Sequence, residues 1–231
     1  MLSLPHFNMF EKSINPVKRI IDLTLTLRHG MRGVSFETKY TLADKGWNAQ
    51  TYHLYSHCGT HLDAPVHYNV SDKAVADIAP HRFISTAWVA DLTGIESRHS
   101  ITVTDMRAIA RHVSAGDSIL IKTGWSEKIN TPQYRDELPG ISEELAHWCV
   151  DKKINMLGVE PPAIADPNNI PDVQKIHKIL LNGDIIIVEG LCNLTALSKN
   201  KVTFLAMPLK IARGDGSPIR ALAIENDEDI L

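Results

Sequence analysis

Short, β-branched apolar runs recur along this chain, separated by polar and turn-forming residues. Arg19–Leu25, Thr51–Tyr55, Ala87–Leu92, Ser118–Lys122, Asn155–Val159, Asp184–Glu189, Val202–Ala206 and Ile219–Ile224 each have the length and flanks of a β-strand. Helical spacing appears between some of them. Met106, Ile109, Ala110 and Val113 fall at i, i+3, i+4 and i+7 behind Thr104, a candidate N-cap. Leu145, Trp148 and Cys149 repeat the pattern behind Ser142. A third helix is predicted from Pro171 to Asn182: proline suits its first turn, Val173, Ile176 and Leu180 form its stripe, and Gly183 ends it. Strands outnumber helices and only some alternate with them, which predicts a mixed α/β sheet and not a doubly wound one.

Neither an internal repeat nor an interdomain linker interrupts the 231 residues, so residues 1–231 read as a single domain. Residues 1–17 read as an N-terminal arm, and the acidic stretch at 225–231 as a solvated tail. Lys and Arg number 24 against 27 Asp and Glu, a net charge of -3, so the clustered positive excess of a nucleic-acid binder is missing. Cys58, Cys149 and Cys192 are odd in number and far apart, which fits a reducing compartment. Pro5, His6, Glu11 and Lys12 break the apolar stretch that a signal peptide needs. The longest strongly apolar run, Ile185–Val188, is far too short to span a bilayer. These features predict a soluble, cytoplasmic protein with neither nucleic-acid nor membrane partner.

Chemistry concentrates in Ser56-His57-Cys58-Gly59-Thr60-His61-Leu62-Asp63-Ala64-Pro65-Val66-His67-Tyr68. Imidazole nitrogen and carboxylate oxygen are ligands that Zn²⁺, Mn²⁺ and Fe²⁺ accept. On an extended strand His57 and His61 would lie about 13 Å apart, too far to share an ion. Gly59 and Pro65 disfavour a regular helix there. A strand running into a tight turn at Gly59 reconciles the spacing with a shared ion. Within this segment Cys58 reads as a small packed residue and not as a nucleophile. Downstream, His177 borders the apolar stripe of the third helix, and Glu189 closes a run apolar at consecutive positions, hence buried on both faces. A lone histidine in such a place is more often a hydrogen-bonded core residue. A carboxylate ending such a strand has to be paired, solvated or bound to metal. The helix–Gly183–strand connection can bring both residues to one mouth of the sheet.

The sequence resembles the metal-dependent cyclase/hydrolase family that includes bacterial kynurenine formamidase (an arylformamidase) and isatin hydrolase. The resemblance rests on His57-x-Gly59-Thr60-His61-x-Asp63-x-Pro65-x-His67, on His177-x2-Leu180-Leu181 leading into Ile187-Val188-Glu189-Gly190-Leu191, and on Pro208-Leu209-Lys210 followed by Gly216-Ser217-Pro218-Ile219-Arg220-Ala221. Ile21-Asp22-Leu23-Thr24 and Thr123-Gly124-Trp125 are weaker matches. Glu160 stands where relatives commonly have Asp, and Gly190 where the formamidases often have Asn.

This resemblance implies a mixed, barrel-like β core wrapped by helices, of the swivelling β/β/α type, assembled as a homodimer or larger homo-oligomer. It makes His57, His61 and Asp63 ligands of one metal, has His177 and Glu189 complete a second site, and makes His67 the catalytic acid/base. The cofactor it implies is Zn²⁺ or Mn²⁺, one or two ions per chain. The expected reaction is hydrolysis of an amide C–N bond by metal-activated water, foremost N-formylkynurenine to kynurenine and formate. Ring opening of a cyclic amide or lactone, as in isatin hydrolase, is the alternative within the family. A non-catalytic metal-binding protein is the alternative from another class, and His67 argues against it, because a closed structural site has no use for an extra proton carrier. Trp47, Trp88 and Trp125 are not assigned to the substrate, since tryptophan is usually core.

Overall fold

Side chains on successive strand residues point to opposite faces, and that alternation decides how this chain closes on itself. The computed structural model describes residues 19–225. Its strands are β1 (Arg19–Asp22), β2 (Val34–Tyr40), β3 (Ala49–Leu54), β4 (His61–Asp63), β5 (Ile84–Asp91), β6 (Ser100–Ile101), β7 (Ser118–Lys122), β8 (Gly140–Ile141), β9 (Met156–Val159), β10 (Ile186–Glu189), β11 (Lys201–Pro208) and β12 (Gly216–Glu225). The order β12–β11–β5–β7–β9–β10–β4 closes into a barrel because β4 pairs back onto β12. β5, β7, β9 and β10 run parallel to one another. β4, β11 and β12 join them through antiparallel pairings. One edge of the long β12 serves two partners: Gly216–Pro218 pair with β4, and Leu222–Glu225 with β1.

Leu62, Val89, Leu120, Met156, Val188 and Phe204, drawn from strands all round the barrel, pack together in its interior. The alternate residues Trp88, Ile119, Ile121, Leu157 and Ile187 face outward and pack with helix residues such as Leu145, Ile176 and Leu180. Both faces of these strands are therefore buried, which is why they read as near-continuous apolar runs. The helices are α1 (Leu42–Lys45), α2 (Gln133–Asp136), α3 (Glu143–Asp151) and α4 (Ile170–Asn182). Ser142 caps α3, its side chain accepting from the Leu145 N–H at 3.1 Å. Asn169 caps α4, Pro171 lies in its first turn, and Gly183 closes it. The outcome is the mixed, barrel-like α/β architecture that the strand pattern and the resemblance lead one to expect.

Two expectations need correction. The helix predicted behind Thr104 is only a 3₁₀ turn, Val103–Met106, followed by further turns. Met106, Ile109 and Val113 are buried as the spacing requires. Val103, Thr104, Ile109 and Val113 crowd the segment with β-branched residues, which lowers helix propensity. Thr102, not Thr104, starts the turn: Asp105 accepts from both its N–H (2.8 Å) and its hydroxyl (3.0 Å). The strand predicted at Thr51–Tyr55 forms as β3, outside the barrel, in a two-stranded hairpin with β2 that exposes most of its residues. Second, Glu225 is no part of a solvated tail. It ends β12, is buried, accepts from the Ser198 and Lys199 N–H groups, and pairs with Arg19 at 3.0 Å. The arm assigned to residues 1–17 and the remainder of the tail lie outside the described residues.

The barrel interior should carry much of the stability. Phe204 is fully buried there, so Phe204→Ala should cost about 3–5 kcal/mol. Denaturant titration checks it: a loss below about 1 kcal/mol would mean that the interior is loosely packed.

Candidate metal centre

Strand alternation builds the first half of the site. Leu62 enters the barrel interior, so its neighbours His61 and Asp63 turn to the outer face, toward α4. β10 runs antiparallel beside β4 with Glu189 opposite His61 and Ile187 opposite Asp63, so Glu189 shares that face. α4 packs against it and contributes His177, whose Nε2 lies 3.5 Å from Asp63 Oδ2 and 3.4 Å from Glu189 Oε1. His57 arrives through the turn before β4. Gly59 takes a left-handed conformation (φ 60°) that folds the chain back, and the His57 and His61 ring centroids come to 5.3 Å. His57 Nδ1 then lies 2.8 Å from Asp63 Oδ1. The structure thus brings together all five residues named as ligands from the sequence.

Neighbouring groups settle which nitrogen each ring presents. His61 Nδ1 is 3.0 Å from the Gly59 carbonyl, and His177 Nδ1 is 2.6 Å from the Val173 carbonyl. An N–H donated there leaves Nε2 of each ring facing the carboxylates. His61 Nε2 is 3.1 Å from Glu189 Oε2, and Glu189 Oε1 accepts from the Ile164 N–H at 2.6 Å. His67 sits on a 3₁₀ turn, Pro65–Tyr68, and stacks on His57 with centroids 3.9 Å apart. It is half-buried and belongs to neither ligand group that contains Asp63.

Burial opposes charge on every one of these groups, yet for His57, His61, Asp63, His177 and Glu189 their mutual attraction wins. His57 is pulled down by burial but pushed up to about 9 by its hydrogen bonds with Asp63 and Asp215. His177 is raised to about 10 against burial by Asp63 and Glu189. His61 is likewise raised, by Glu189 and Asp63. Against burial, Asp63 is held well below the usual carboxylate range by His177 and His57. Glu189 is lowered by His177 and His61 against both burial and the charge of Asp63. His67 moves the other way: burial, together with the positive charges of His57 and His177, lowers it.

A divalent cation fits these residues. Asp63 Oδ2 is buried with no hydrogen-bond partner among the described residues, a costly arrangement unless something else binds it. The donor atoms form three groups, each drawn within 4.8 Å: the buried His57–His61–Asp63 and Asp63–His177–Glu189, which share Asp63, and the half-buried His57–His67–Asp215, which lacks it. Nitrogen and carboxylate oxygen in these numbers are a set that zinc or manganese accepts.

Two residues were missed in the sequence. Asp215, just before β12, places Oδ2 3.0 Å from His57 Nε2 and 3.6 Å from His67 Nδ1. Tyr68 stacks on His177 with centroids 4.6 Å apart. Glu160, at the position where relatives differ, lies outside the ligand groups. It is fully buried and accepts from the Thr123, Gly124 and Trp125 N–H groups and from the Ser126 hydroxyl, which fastens that turn. Cys58 is buried in the turn, and Trp88 and Trp125 are core, whereas Trp47 is exposed beside Tyr40 on the hairpin.

The model of the Cyclase family matches residues 21–166, more than half of the chain and the whole of the His57–His67 segment. The chain belongs to the Cyclase family. Among its relatives, the kynurenine formamidase of Erythrobacter litoralis (strain HTCC2594) is 28% identical over 216 residues, covering 90% of this chain and 94% of that protein. A kynurenine formamidase of Bacillus cereus is 26% identical over 189 residues, 81% of this chain and 86% of that protein. Among solved structures, isatin hydrolase A from Ralstonia solanacearum superposes with a TM-score of 0.79 at 25% identity, over 90% of this chain and 92% of that one. No helix among the described residues is long and apolar enough to cross a membrane.

The electrostatics generate a prediction. With His57 raised to about 9 and His177 to about 10, both rings carry protons at neutral pH in the metal-free protein. A cation must displace them, so Zn²⁺ uptake should release protons and tighten as pH rises toward those values. Titration calorimetry in buffers of different ionisation enthalpy reads the release directly. Heats that do not change with the buffer at neutral pH would contradict it.

Proposed function

We propose that the protein is a metal-dependent amide hydrolase that cleaves an aryl formamide, with N-formylkynurenine, which yields kynurenine and formate, as the leading substrate. One observation carries the metal dependence: the buried oxygen of Asp63 that has no hydrogen bond among the described residues, set between His57 and His61 on one side and His177 and Glu189 on the other. The similarity to kynurenine formamidases over most of the chain supports the substrate class. The likeness to isatin hydrolase A favours a second reading, the opening of a cyclic amide, which needs the same chemistry in a differently shaped pocket.

His57, His61 and Asp63 would hold one Zn²⁺ or Mn²⁺, and Asp63, His177 and Glu189 a second. Such a cation, when bound, supplies Lewis acidity that eases ionisation of water and polarises a carbonyl. The protein's own work is proton handling. Burial lowers His67, which favours a neutral imidazole that can accept a proton. It takes one from the attacking water, then returns it to the amide nitrogen as the C–N bond breaks, so that the amine leaves neutral. Tyr68 stacks on His177 beside the centre.

A second copy of the chain would cover the exposed hairpin residues Tyr40, Trp47 and Tyr52, in keeping with the homodimer that the resemblance implies. The unpaired Cys58, Cys149 and Cys192 suit a cytoplasmic setting.

Chelation should abolish hydrolysis of N-formylkynurenine, and Zn²⁺ or Mn²⁺ should restore it. His67→Ala should keep its metal and lose about 10²–10⁴-fold in rate. Full activity in protein shown by elemental analysis to be metal-free would overturn the metal dependence. A His67→Ala protein that loses its metal would make His67 a ligand. Faster turnover of isatin than of N-formylkynurenine would favour the cyclic-amide reading.

A further inference from the structure

We propose that Asp215 is a positioning residue of the metal centre: its Oδ2 holds the His57 ring at Nε2, so that Nδ1 turns toward the same point as Asp63 Oδ1. The proposal rests on the reading of His57 as a ligand. A parallel among the three rings carries it. His61 and His177 each keep one nitrogen in the centre and set the other on a backbone carbonyl, Gly59 for one and Val173 for the other. For His57 the outer acceptor is a carboxylate, Asp215, at 3.0 Å. A carboxylate in that role fixes the ring and strengthens its donation to the metal.

Asp215 is held in place for this by its main chain. Its carbonyl accepts from the Ala64 N–H at 2.9 Å, and the preceding Gly214 carbonyl accepts from the Val75 N–H at 2.9 Å. Gly216, the next residue, pairs with Asp63. A Cβ there would come within 2.6 Å of His57 Cε1, so glycine is what lets β12 run against the imidazole. His57 itself sits in a turn, with His67 stacked on one face of its ring at 3.9 Å. The Asp215 side chain is 46% exposed, so core packing does not account for its placement. The same oxygen also lies 3.6 Å from His67 Nδ1, beyond hydrogen-bond length.

The test is Zn²⁺ affinity, measured by chelator competition on the full chain for wild type, Asp215→Ala, Asp215→Asn and His57→Ala. Asp215→Ala should bind Zn²⁺ about 10–100-fold more weakly. Asp215→Asn, which keeps an acceptor oxygen for His57 Nε2–H, should recover most of that loss, and His57→Ala should lose at least as much as Asp215→Ala. Wild-type affinity in Asp215→Ala alongside a loss in His57→Ala overturns the positioning role alone. Asp215→Asn as weak as Asp215→Ala also overturns it, because Asp215 would then act by charge or as a ligand. Wild-type affinity in His57→Ala sinks the ligand reading of His57 and the proposal with it. Both Asp215 variants lose the charge beside His57, so their metal-free forms should unfold at similar midpoints. A metal-free Asp215→Ala that unfolds well below Asp215→Asn overturns the proposal, since the side chain would then be holding the loop and not the ring.

Discussion

Two carboxylates, Asp63 and Glu189, are buried beside each other between the barrel and α4, and everything around them balances that charge. Their ligand oxygens lie within 4.8 Å of each other. At an effective dielectric constant of about 20, two such charges repel by roughly 3 kcal/mol, a sizeable share of the stability of a typical domain. Three histidines surround the pair and are raised by it. One oxygen of Asp63 still has no hydrogen-bond partner among the described residues. Protons on imidazole can neutralise the charge, but the His177 ring at 3.5 Å leaves that oxygen without a hydrogen bond, whereas a divalent cation would serve both.

The barrel is the means by which this charge is held together. β4 is only three residues long, and it is fixed because β10 and β12 pair with it on its two edges. The pairing with β10 puts Glu189 opposite His61, and the pairing with β12 brings Gly216 and the adjacent Asp215 to the His57 ring. Closure of the barrel and assembly of the centre are thus the same event. α4 adds His177 from a face whose other residues, Val173, Ile176 and Leu180, are ordinary core. Glu160, by contrast, spends its carboxylate on a turn, which explains how a residue at a position of difference can be buried and still stand outside the chemistry.

Much of the centre was legible because its signal is local. His57, His61, Asp63 and His67 fall within one short segment, and the distance argument that demanded a turn at Gly59 depends on strand geometry alone. Glu189 was legible as a charge ending a doubly buried strand, and His177 only as a histidine bordering a helix stripe. Their meeting is a property of register and helix packing, for which family resemblance stood in. Asp215 carried no local signal: in Gly214-Asp215-Gly216 it reads as a turn, and its partner His57 lies 158 positions away. The same limit explains the misread helix. The spacing of Met106, Ile109 and Val113 correctly marks burial, but a chain of 3₁₀ turns can bury the same residues. β2 was overlooked although Val34, Phe36, Thr38 and Tyr40 alternate, and Glu225 was misjudged because its partners, Ser198, Lys199 and Arg19, are distant in sequence.

If Asp63 Oδ2 is a metal ligand, crystals of the protein loaded with Zn²⁺ or Mn²⁺, with diffraction recorded on either side of the metal's absorption edge, should show an anomalous peak about 2 Å from that oxygen, in reach of His177 and Glu189 or of His57 and His61. A fully loaded protein whose peaks all lie away from Asp63 would show that the oxygen is not a ligand.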